Sequence, residues 1–177
     1  ILAYEFNQKQ IEKLLLPLFN KAPTELNAFS DLIPSQQTLA LYLNNIFRDW
    51  SWGTQENENY IEAISKALGN QWHTDEILIL GSGSSRLSMD FHLKYKPKFT
   101  FALDFNPLLL FIAQKMLNHE DFKLFEIPFP VIEKENISKK WTLHNTILEN
   151  QLSKQHFQLI FGDIQNLPFK SESFSCV

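Results

Sequence analysis

The chain has 177 residues, enough for one domain with a buried core, and a formal net charge of −4 at pH 7. That acidic balance, with no basic run interleaved with aromatics, argues against a nucleic-acid partner. The single cysteine, Cys176, excludes a disulfide framework and a thiolate metal cluster, and the 5 histidines (His73, His92, His119, His144, His156) show no pair at ligand spacing, so no metal is expected.

The first third reads as helices. Asn7 to Phe19 places Ile11, Leu14, Leu15 and Leu18 at helical spacing, and Pro17 falls late enough to bend or end the segment. Asn20 to Ser35, with Pro23 and Pro34, reads as a connection. Ser35 can cap a second helix, Gln36 to Trp50, whose apolar stripe is Leu39, Tyr42, Leu43, Ile46, Phe47 and Trp50. Gly53 ends it. A third helix, Glu56 to Leu68, is expected to bury Tyr60, Ile61, Ile64, Ala67 and Leu68, with Gly69 as its stop signal. Periodicity alone makes these stripes ordinary core. It also places Asn45 and Arg48 on one face, opposite the stripe, where a solvated polar face is the plain reading.

A βαβ unit follows. Ile77-Leu78-Ile79-Leu80 has no polar alternation and suits a strand buried on both faces. A tight Gly81-Ser82-Gly83 turn leads into a helix, Ser85 to Tyr95, and then a second apolar run, Phe99 to Leu103, ends in Asp104. The glycines leave no Cβ between loop and ligand, and the strand-end carboxylate can accept hydrogen bonds from both hydroxyls of a ribose. Their separation, about twenty residues, is the one such a nucleoside site requires. Ser85-Arg86 stands where a dinucleotide loop places its third glycine, which weakens a nicotinamide oxidoreductase reading. By itself the turn is also compatible with a purely structural βα connection.

Further along, Pro107 to Asn118 reads as a helix with Pro107 in its first turn. Phe122 to Ile132 contains the aromatic and proline-rich KLFEIPFPV, expected to be extended, and Trp141 to Leu152 follows. Phe125, Phe129 and Trp141 suit either a satellite core or a wall of a substrate site. Near the end stands a strand, Phe157 to Phe161, then Gly162-Asp163-Ile164, Leu167-Pro168-Phe169 and Ser173 to Val177. No run approaches the roughly 20 apolar residues that span a bilayer, and no signal peptide is visible, so no membrane partner and a cytoplasmic location are expected.

These motifs resemble class I S-adenosylmethionine-dependent methyltransferases over Ile77 to Val177. The glycine loop, the acid ending strand two, the GD pair, the LPF turn and the SF opening of the next strand stand in that family's order. Ile46-Phe47-Arg48-Asp49-Trp50-Ser51, then Glu56 and Tyr60-Ile61, further resembles the carnosine N-methyltransferase-like family, as does Arg86-Leu87 after the loop. Here Asp104 stands where that family has Glu, Ile164 where it has an aromatic residue, and Asn45 where it has Gln.

The resemblance implies an α/β, Rossmann-like methyltransferase fold with a seven-stranded, mostly parallel sheet in the order 3-2-1-4-5-7-6. It implies an N-terminal helical region, residues 1–75, covering the cofactor cleft, and an S-adenosylmethionine-binding domain, residues 76–177, with an insertion at about 119–156. This domain supplies the first three strands and begins the fourth near Phe174, so the chain is expected to be the N-terminal part of a longer protein. The implied cofactor is S-adenosyl-L-methionine, held by Asn45, Arg48, Gly81, Ser82, Gly83, Arg86, Asp104, Phe105, Asp163 and Ile164. Arg48 suits the methionine carboxylate, because a guanidinium fork holds a carboxylate in a bidentate pair. The implied activity is N-methylation of a small molecule or small peptide. The alternative is a non-catalytic S-adenosylmethionine-binding subunit or scaffold. No residue identifies itself as the catalytic base.

Overall fold

The computed structural model describes residues 1–19, 39–69, 75–127, 137–146 and 155–177. The connection at 20–35, the cap at Ser35, His73 and Phe129 lie outside them. Three helices come first: α1 (Leu2–Phe19), α2 (Leu39–Phe47) and α3 (Thr54–Leu68). Then follow β1 (Glu76–Leu80), α4 (Arg86–Tyr95), β2 (Phe99–Asp104), α5 (Pro107–Leu117), β3 (Phe122–Glu126), β4 (Lys139–Leu143) and β5 (Phe157–Phe161).

The architecture is α/β around a three-stranded parallel sheet in the order β1-β2-β5. Leu80 pairs with Leu103 and Asp104 with Phe161, so all three strands end along one edge. The chain runs from β1 outward to β2 and β5, then returns to the other side of β1. There Cys176 bridges Ile77 in parallel, and Leu78 N–H donates to the Cys176 carbonyl at 3.0 Å. The direction of strand addition therefore reverses at β1. A second sheet pairs β3 with β4 antiparallel.

One core joins these parts. Ile11 and Leu14 of α1, and Ile46, Phe47 and Trp50, pack with Met89, Ala102, Ile112 and Met116. α5 is apolar almost all round and buried almost all round, from Leu108 to Leu117. Its start is fixed locally: Pro107 holds the first position, and the Asn106 side chain accepts from Leu108 N–H at 3.0 Å. The antiparallel pair is more than a surface elaboration, since Phe122, Leu124 and Leu143 are buried in the same core. Phe125 and Trp141 stay half-buried at its rim.

Four expectations are corrected. α1 begins at Leu2 rather than Asn7, and Pro17 lies inside its last turn without breaking it. In α3, Tyr60 and Ala67 are exposed, while Asn57 and Ile61 are buried and Ile64 and Leu68 half-buried. That stripe follows the helical period through positions 57, 61, 64 and 68, and Tyr60 and Ala67 fall on its flank. The second helix does not run straight to Trp50. It gives way at Arg48 to a π-helical turn, Arg48–Trp52, closed by Gly53 N–H donating to the Arg48 carbonyl at 2.8 Å. A Cβ on Gly53 would collide with that carbonyl, so the turn needs glycine there. Finally, β1 is fully buried only at Ile77 and Leu78. Ile79 and Leu80 face an apolar groove of about 470 Å³ between β1, Ile64, Leu68, Leu87, Phe91 and Val177.

His92 gives the fold a pH dependence. Its ring is buried, with Nδ1 2.7 Å from Thr100 Oγ1 and its plane perpendicular to the Phe157 ring beside it. Burial first, and the charge of His156 second, hold its pKa below the ordinary 6.5. The unfolded chain therefore takes up a proton that the folded chain resists. This contribution to stability is complete above pH 6.5 and is lost as pH falls from there towards the folded pKa. Urea unfolding followed across that window should show a falling midpoint for the native chain and a flatter profile for His92→Gln.

Candidate active site

The three strand ends carry the residues singled out from the sequence. β1 runs into Gly81 and Gly83, whose φ angles of 64° and 58° lie in the left-handed region that favours glycine. A Cβ built on Gly81 meets nothing within 4 Å, so the loop is open there. Ser82 N–H donates to the Leu103 carbonyl at 3.0 Å and ties the loop to β2. Ser85 is also left-handed, at φ 64°, and fully buried. Serine thus occupies a conformation that glycine would take with less strain. Its hydroxyl is bonded to that of Ser82 at 3.2 Å.

Asp104 is buried at the end of β2. Its Oδ2 accepts from Gly83 N–H and its Oδ1 from Asn106 N–H, each at 2.8 Å. A carboxylate has about four lone-pair sites, so about two remain for a ligand. Beside it, Phe105 is 47% exposed. Gly162 N–H donates to the Asp104 carbonyl at 3.1 Å, which sets Asp163 and Ile164 at the same sheet edge. Asp163 Oδ1 accepts from Gln165 N–H at 2.9 Å, and Ile164 is 51% exposed. The edge thus presents an open glycine, a fixed carboxylate, a second carboxylate and two uncovered apolar side chains. An apolar groove of about 290 Å³ borders it, lined in part by Pro107, Leu110, Phe111 and Phe161.

The N-terminal region meets this edge through a side chain that the sequence reading did not single out. Asp49, in the π-helical turn, is buried. Its Oδ2 accepts from Ser84 Oγ at 2.6 Å and lies 4.0 Å from where a Cβ on Gly83 would be. Its Oδ1 accepts from Arg48 Nε at 3.0 Å and Nη2 at 2.8 Å. Trp50 Nε1 donates to the Ser84 carbonyl and hydroxyl, both at 3.1 Å. The signal for this seam is a carboxylate bordering an apolar stripe, Phe47-Arg48-Asp49-Trp50.

Arg48 is therefore placed beside the glycine loop with a carboxylate partner, and the rest of its donors stay available. Asn45 is half-buried one turn earlier on α2. Arg86 is engaged elsewhere. Its Nε donates to both oxygens of Asp90, at 3.1 and 2.9 Å, and its guanidinium lies over the Trp50 ring. Burial pushes the Asp90 carboxyl up, while Arg86 pulls it down.

Among the described residues no group of three or more His, Cys, Asp and Glu could hold a metal, and no helix is long and apolar enough to cross a membrane. A scan against models of protein families finds no match to this chain, and a search of curated proteins finds none either.

Proposed function

We propose that the chain binds S-adenosylmethionine and belongs to a methyltransferase acting on a nitrogen of a small molecule or small peptide. The observation that carries this is the position of the glycine turn. It follows the strand at which the order of addition reverses, which is where open α/β sheets bind ligands. The order β5-β2-β1, with the Cys176 segment beyond β1, agrees with the first four strands of the Rossmann-like methyltransferase sheet.

The residues fit the cofactor. Gly81 leaves room for close approach of a ligand, and Asp104 keeps acceptor capacity for ribose hydroxyls. Phe105 and Ile164 are uncovered apolar surfaces suited to the adenine ring, with the Asp163 carboxylate beside them for its exocyclic amine. Arg48 is suited to the methionine carboxylate. When bound, the cofactor supplies a sulfonium methyl group, transferred by in-line displacement. The chain's part is to orient it, and alignment is the main source of rate in such transfers.

A second reading keeps the cofactor without the chemistry. His156 precedes β5 at the opposite edge of the sheet, and His92 is buried against Thr100. A base would have to come from elsewhere than these two. Calorimetric titration with S-adenosylmethionine, S-adenosylhomocysteine and NADH tests the cofactor. Micromolar binding of the first two and none of the third is expected. A folded chain that ignores both S-adenosyl ligands sinks the proposal.

A further inference from the structure

The π-helical turn faces two ways. Trp50 points its N–H into the glycine loop, and Trp52, two residues on, donates instead to Glu126 Oε1 at 3.1 Å. The other oxygen of the same carboxylate, Oε2, accepts from Trp141 Nε1 at 2.6 Å. One half-buried carboxylate is thus gripped by two indoles from distant parts of the chain. Among the described residues it has no ion-pair partner.

The surrounding aromatic faces already accept cations. The Lys139 ammonium lies 3.5 Å from the centre of the Trp141 ring. The Lys140 ammonium lies 4.8 Å from Phe6 and 5.5 Å from Phe125. The wall is held rigidly. Asn7 is buried and exchanges two hydrogen bonds with the Phe125 backbone, each 2.7 Å, which locks β3 to α1. A fixed carboxylate beside a half-buried indole face that already holds an ammonium is what a weakly hydrated organic cation selects.

We infer that Trp52, Glu126 and Trp141 form a binding site for an organic ammonium ion, a methylated or quaternary amine, with the Lys139 ammonium as its internal occupant in the free protein. The carboxylate supplies the counter-charge and the Trp141 face supplies the quadrupole attraction. Lys139 is exposed at the start of β4, so it can swing off the ring when a ligand arrives. The inference stands whether or not the glycine loop binds S-adenosylmethionine.

The test is titration of the chain with choline at constant ionic strength, read by tryptophan fluorescence and by calorimetry, beside choline's uncharged carbon isostere. Saturable binding of choline and none of the isostere is expected. Lys139→Ala, which removes the occupant and its repulsion, should raise the affinity roughly tenfold. Lys123→Ala makes the same charge change on the exposed face of β3 and should leave affinity unaltered. Glu126→Gln should lower it roughly tenfold, with thermal melting to show that the variant is folded. The inference is overturned if neither the native chain nor Lys139→Ala binds choline saturably. It is equally overturned if the isostere binds as well, or if Lys123→Ala gains as much as Lys139→Ala.

Discussion

Asp104→Ala is expected to lower affinity for S-adenosylhomocysteine by at least about a hundredfold. Two hydrogen bonds to a charged acceptor contribute about 1.5–3 kcal/mol each, and each 1.4 kcal/mol is about tenfold. The substitution also strips Gly83 and Asn106 N–H of their partner, so the loop that should receive the ligand loses one of its ties to β2 and keeps the Ser82–Leu103 bond. Calorimetry on the variant measures the first effect, and circular dichroism with melting separates it from unfolding. A folded Asp104→Ala chain that binds as the native chain does would remove the ribose role and much of the case for the cofactor.

The largest effect on stability is expected at Asp49. Alanine there leaves the fully buried Ser84 hydroxyl without its acceptor and Arg48 without its carboxylate. The Arg48 side chain is 35% exposed, so solvent screens its share, and most of the loss comes from the buried Ser84 contact and from the gap in the seam. A loss of about 3 kcal/mol follows. For a chain of this size it lowers the melting temperature by roughly 6–12 °C. Asp49→Asn keeps an acceptor for Ser84 and should lose clearly less. Equal losses for the two variants would mean that the charge, rather than the Ser84 bond, holds the seam.

The βαβ unit was legible because every signal in it is local. An unbroken apolar run, two glycines and a terminal acid lie within one short stretch, and the structure puts Gly81, Gly83 and Asp104 at one sheet edge. α5 was legible for the same reason, through Pro107 in the first turn of an apolar run. The π-helical turn was not. The stripe from Leu39 to Trp50 fits a straight helix, and the widening answers distant demands: Asp49 and Trp50 both bond to Ser84. The partners in those bonds are 35 and 34 residues apart. β3 could be read as extended from its aromatic and proline-rich stretch, but its pairing with β4 could not, because the partner strand announces itself only by contact. Glu126 carried no signal at all, since Trp52 lies 74 residues before it.

The clamp between Asn7 and Phe125 has a consequence for how the chain comes to be folded. It joins residues 118 apart, and the core around α1 also takes in Leu143 of β4. During synthesis from the N-terminus, α1 can meet α5 early, but its native surroundings are complete only when β3 and β4 have left the ribosome. Until then its apolar stripe, Ile11 and Leu14, stays partly open to chaperones and to neighbouring chains. Closing so long a loop is also slow, because much of the chain must be ordered before the contact repays it. α1 therefore waits on the late strands for its last contacts, and a stall in translation before β4 leaves it partly uncovered.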